Sequence, residues 1–126
     1  MSSKCLIALS LALTLFLLQR NGTPAWAHAY PTVSSPADGA SLKEPPREVR
    51  IQFTEGLEIA FSRITVKGPN GEVVSQGKAR QPAQDTLAID LKPLSPGNYM
   101  VEWQVLSVDT HITEGVLRFT VDPKGK

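Results

Sequence analysis

Tyr99, Val101, Trp103 and Val105 alternate strictly with Met100, Glu102 and Gln104. Successive side chains of an extended strand point to opposite faces, so this segment has one apolar and one polar face only if it is a strand. Wound into a helix, the same four apolar residues would be spread around the circumference and could not share one buried side. The pattern recurs at Val49, Ile51 and Phe53, at Ile64 and Val66, at Leu87, Ile89 and Leu91, and at Leu117, Phe119 and Val121. These residues are the candidate core, and no segment sustains a helical period over a helix-length stretch.

Turn formers punctuate the runs at Pro36 to Gly39, Pro45-Pro46, Pro69-Asn70-Gly71, Pro82 and Pro96-Gly97-Asn98. Asn70-Gly71 is a hairpin signal, because both residues tolerate positive φ. About seven short strands separated by such turns predict an all-β domain, an immunoglobulin-like Greek-key β-sandwich or barrel. Leu94-Ser95-Pro96-Gly97-Asn98-Tyr99 predicts a tyrosine corner, in which the Tyr99 hydroxyl ties back to upstream backbone. Trp103 is the expected central core aromatic.

The first residues follow a different logic. Lys4 precedes an apolar run from Leu6 to Leu18, broken by Ser10 and Thr14. A bilayer span takes roughly 20 apolar residues, so this run is too short. With Ala25-Trp26-Ala27 behind it, the segment reads as a secretory signal peptide over residues 1–27, cut after Ala27. Residues 28–126 are then the mature domain. The cut removes Cys5, the sole cysteine, so the mature core must stand without a disulfide. It also removes Lys4 and Arg20 and no acidic residue, so a net charge of +1 becomes −1. No basic field remains to attract nucleic acid.

The mature chain holds two histidines, His28 and His111. Cleavage makes His28 the first residue. A terminal amine has a pKa near about 7.7–8 and yields its proton to a metal easily. That nitrogen and the ring Nδ1 of the same residue can close a six-membered chelate. His111 stands two residues after Asp109 in Ser107-Val108-Asp109-Thr110-His111, so in extended backbone the carboxylate and imidazole share one side. The pair falls between two strands, where binding groups tend to sit. A sandwich whose first strand runs beside its later ones would bring the chain start to this connection. The pooled donors are an amine, two imidazoles and a carboxylate. Three nitrogens and one oxygen suit Cu(II) or Ni(II), with tetrahedral Zn(II) as competitor. With Met100 its only sulfur, the mature chain lacks the soft ligands that Cu(I) prefers and the thiolate of a blue-copper site.

Taken together, His28, Ser34-Ser35-Pro36-Ala37-Asp38-Gly39, Ile51-Gln52-Phe53-Thr54-Glu55-Gly56-Leu57, Pro96-Gly97-Asn98-Tyr99, Val101-Glu102-Trp103, Ser107 to His111, Gly115 and Phe119-Thr120-Val121 resemble the CopC family of periplasmic copper-binding proteins. The resemblance covers nearly all of residues 28–122. It implies a Greek-key β-barrel binding Cu(II) through His28, Asp109 and His111. It further implies a part in copper tolerance or uptake in the periplasm, with a CopD-type inner-membrane copper transport protein as partner. Glu55 matches a carboxylate that lies near the copper site in some relatives, and is carried as a weak fourth candidate. Some members carry a Met-rich loop for Cu(I); the matching stretch here, Lys67 to Ala79, has neither Met nor His. The expectation is therefore a monomeric, non-enzymatic carrier or buffer of Cu(II) alone. Two alternatives stand beside it. A histidine-brace copper oxidoreductase would need an open coordination position where Asp109 is expected. A metal-free immunoglobulin-like interaction module would leave both histidines incidental.

Overall fold

The computed structural model describes residues 28–125. The expected signal peptide, residues 1–27, lies outside the described residues. The strands are β1 (Pro31–Ser35), β2 (Ala40–Leu42), β3 (Glu48–Phe53), β4 (Arg63–Lys67), β5 (Ser75–Ala83), β6 (Thr86–Leu91), β7 (Gly97–Leu106) and β8 (Ile112–Val121). A single 3₁₀ turn, Ile59–Phe61, precedes β4. The strands form two four-stranded sheets, in the orders β1-β3-β6-β5 and β2-β8-β7-β4.

The core is the one the alternation predicted. Val49, Ile51 and Phe53 of the first sheet and Val101, Trp103, Val105, Phe119 and Val121 of the second are all buried. The ring of Phe53 meets that of Trp103 edge to face at 5.2 Å, joining the sheets across the middle of the sandwich. Opposite Trp103 in the β7–β8 ladder stands Gly115. A Cβ there would come within 2.5 Å of the Trp103 ring, so a glycine is what lets the indole lie flat in the core. The Tyr99 hydroxyl donates to the Ser95 carbonyl at 2.5 Å, forming the expected tyrosine corner.

The structure departs from the sequence reading in four places. Leu117 is only half-buried, packing against the margin of the core. The stretch around Pro82, read as a turn, lies inside β5, a polar strand at a sheet edge. Its ladder is interrupted twice, and Gly77 takes φ 74°. An edge strand can hold proline because one side of it needs no ladder partner. In Pro69-Asn70-Gly71, only Gly71 adopts positive φ, at 77°.

The fourth departure bears on function. β1 pairs antiparallel with β3 in the first sheet, not with β7 or β8. The chain start still reaches the β7–β8 connection, because both lie at the same end of the sandwich and the contact crosses between sheets.

Candidate metal centre

At this end two segments meet. The first is the chain from His28 to Tyr30, which enters β1. Ala29 is fully buried, which anchors the segment instead of leaving it frayed. Thr54, just past β3, holds it through three bonds. Its Oγ1 accepts from the Tyr30 amide at 3.0 Å and donates to the His28 carbonyl at 3.1 Å, while its own amide donates to the Tyr30 carbonyl at 2.8 Å. From the opposite sheet, Thr113 of β8 donates its hydroxyl to the Ala29 carbonyl at 2.7 Å. That bond ties the chain start to the strand that follows His111.

The second segment is the loop from Ser107 to His111. Ser107 is buried with no exposed surface. Its amide donates to the His111 carbonyl and its carbonyl accepts from the Thr110 amide, both at 2.9 Å, closing a tight turn. The chain reverses through Thr110, which takes φ 72°. A β-branched residue rarely occupies this left-handed region. The Ser107 hydroxyl donates to Asp109 Oδ1 at 2.5 Å, and its oxygen accepts the His111 amide at 3.2 Å. The Val108 amide donates to the Gly56 carbonyl at 3.0 Å, pinning the loop to the segment after β3.

The two segments converge. The rings of His28 and His111 lie 4.8 Å apart at 69°, and His111 Nδ1 is 3.9 Å from Asp109 Oδ1. Two donors about 2 Å from a shared ion stand no more than about 4 Å apart, so the Asp109–His111 pair fits one ion without backbone movement. Asp109 and His111 meet because the turn folds them together, not because an extended strand puts them on one side. The Ser107 hydroxyl, aided by the His111 imidazole, holds the Asp109 carboxyl below the usual carboxylate range. Asp109 is therefore ionised and ready to accept a cation at neutral pH. The His28 Nδ1 is shielded from solvent, whereas the His111 side chain is half exposed. Metal would enter from the His111 side.

Among the described residues no three His, Cys, Asp or Glu side chains are already set as a metal cage. In the uncut chain the His28 nitrogen is an amide bonded to Ala27, and an amide nitrogen is a far poorer donor than an amine. Glu55 is half-buried in the segment between Thr54 and Gly56, and is not among the partners of Asp109 and His111 in their hydrogen bonds and ion pair. Sequence reasoning missed Thr54, Thr113 and Ser107. Threonine and serine are common everywhere, and only their partners reveal that they hold this site.

The comparisons agree with this architecture. The family model of the CopC domain matches residues 32–122. The chain is 39% identical over 103 residues to Protein YobA of Escherichia coli K12, covering 79% of this chain and 83% of that one. It is 34% identical over 100 residues to the Copper transport protein CutJ of Bacillus subtilis, a match that spans 77% of this chain but 18% of CutJ. Among solved structures, CopC from Methylosinus trichosporium OB3b superposes with TM-score 0.69 at 32% identity, covering 79% of this chain and 98% of that one. PcoC, a methionine-rich copper resistance protein from Escherichia coli, superposes at 0.67 with 27% identity, covering 76% and 100%. This chain belongs to the CopC family.

Proposed function

We propose that this protein is exported to the periplasm, cut after Ala27, and carries or buffers one Cu(II) ion. The ligands are the amine and ring nitrogen of His28, the His111 imidazole and the Asp109 carboxylate. The observation that supports this most is the docking of the chain start against the Ser107–His111 loop, with the two histidine rings 4.8 Å apart. A frayed terminus could not place its amine near His111; one anchored through a buried Ala29 can. Names of relatives and neighbours support copper as the cargo: a copper transport protein and a methionine-rich copper resistance protein.

The oxidation state follows from ligand type. Imidazole, amine and carboxylate donors suit Cu(II), while Cu(I) selects thiolate and thioether. PcoC is methionine-rich, whereas here the mature chain keeps only Met100, on β7 beside Arg118. Asp109 as a fourth donor would leave no open position for oxygen, which supports carriage over catalysis. The match to 18% of CutJ supports a CopD-type membrane transport protein as partner, since there a domain of this kind forms part of a longer transport chain. Both Asp109 and His111 are partly exposed, which suits handing an ion on.

The test is titration of protein beginning at His28 with Cu(II) against a competing chelator. A second protein carries one extra Ala before His28. One-to-one binding that falls more than about a hundredfold in the second protein is expected, since a lost chelate exceeds the loss of an outer contact. Equal binding by both would remove the terminal amine from the ligand set.

A further inference from the structure

The Ser107 hydroxyl bonds to both residues expected to bind metal in the loop. Ser107 has no exposed surface. A hydroxyl offers one proton and two lone pairs. The His111 amide occupies one lone pair at 3.2 Å, and the proton points to Asp109 Oδ1 at 2.5 Å. The His111 carbonyl lies farther from the hydroxyl, at 3.2 Å, and already accepts the Ser107 amide at 2.9 Å.

We infer that Ser107 is the positioning residue of the metal centre, holding the Asp109 carboxylate in its metal-ready rotamer before the ion arrives. The inference rests on Asp109 being a copper ligand. A carboxylate has about four lone-pair sites, so one taken by a hydroxyl leaves the others for metal. On a half-exposed turn, an untethered Asp would sample several rotamers and lose that freedom on binding. The tether fixes the carboxylate as part of folding. The same turn carries Thr110 at the left-handed position that closes a three-residue hairpin loop, and this brings His111 back onto Ser107.

The experiment uses mature protein from His28 in four forms: wild type, Ser107→Ala, Asp109→Asn and the double variant. Cu(II) affinity is measured against a chelator, the Cu(II) EPR spectrum is recorded, and the copper-free melt shows that each variant folds. S107A is expected to lower affinity roughly ten- to a hundredfold, the range for lost outer-shell partners. In the D109N background S107A should cost nothing further, and the S107A spectrum should move toward that of D109N. Ser107→Thr, which keeps the hydroxyl, should restore affinity, and it answers the question if S107A does not fold. Equal losses from S107A with and without the Asp109 carboxylate would overturn the inference, as would wild-type affinity in S107A. If D109N itself binds like wild type, it is the ligand set that fails, and the positioning role falls with it.

Discussion

The two halves of the candidate centre are built in opposite ways. The Ser107–His111 loop is held largely by its own short-range bonds, with a longer tie from Val108 to Gly56. The His28–Tyr30 segment is tied to distant parts of the chain. Its bonds come from Thr54, 24 and 26 residues away, and from Thr113, 84 residues away. A local motif keeps its shape as long as its hairpin exists. A segment docked through distant partners keeps its place only while the whole sandwich is intact. The difference teaches that one half of this site is a property of a short sequence and the other a property of the fold.

The sharpest way to break this contrast is at Thr113. Thr113→Val preserves shape but leaves the Ala29 carbonyl without its donor. A buried polar group so orphaned costs about 1–3 kcal/mol, which a denaturant titration of copper-free protein would register. Copper affinity should fall as well, because the terminus is released while the loop is untouched. Full stability and unchanged affinity in T113V would show that the chain start does not depend on the tie across the sheets.

A smaller effect, of opposite sign, is expected in the loop. Thr110→Gly removes a β-branched residue from φ 72° and should stabilise the copper-free protein by up to about 1 kcal/mol. Glycine gives back part of that gain through its greater freedom when unfolded. A thermal melt checks the sign. A lower melting temperature would mean that the Thr110 hydroxyl bond to the Asp109 carbonyl, at 2.6 Å, outweighs the backbone cost.

The smallest effect is expected away from both halves. On the outer face of the first sheet, Arg80 spans Glu48 at 2.8 Å and Asp90 at 2.6 Å, with Arg50 also on Glu48 at 3.2 Å. Arg80 first and Arg50 second hold the Glu48 carboxyl below its ordinary value of 4.5. A carboxylate lowered by folding adds stability above the unfolded pKa and loses it as pH falls through the folded one. Because the pair is exposed, Glu48→Gln should cost at most about 1 kcal/mol at neutral pH. It should cost less still below pH 4.5, and should leave copper binding unchanged. A loss of affinity in E48Q would tie the site to a distant face and blur the contrast drawn above.

Much of the fold was legible without coordinates. β3, β4, β6 and β7 announced themselves because each packs one face into the core, and period-two alternation records that directly. β5 did not, since a polar edge strand buries too little to leave a pattern. β1 and β2 were equally silent: their burial is partial, and their residues are mostly small and polar. In the site, His28 and His111 were conspicuous because the chain has two histidines, and Asp109 because it stands two residues before one of them. Their supports were not, since a hydroxyl becomes a clamp only through the partner it meets.

The sequence by itself determined which faces are apolar, where the chain turns, and that the two histidines stand ahead of the first strand and in one loop. These follow from periodicity and composition, which are local properties. Tertiary structure alone decided that β1 joins the first sheet and that Thr113 crosses to Ala29. It also decided that the tight turn at Ser107, not strand alternation, brings Asp109 to His111. Those outcomes depend on which surfaces pack together, and the burial that selects them is shared among residues far apart in the chain.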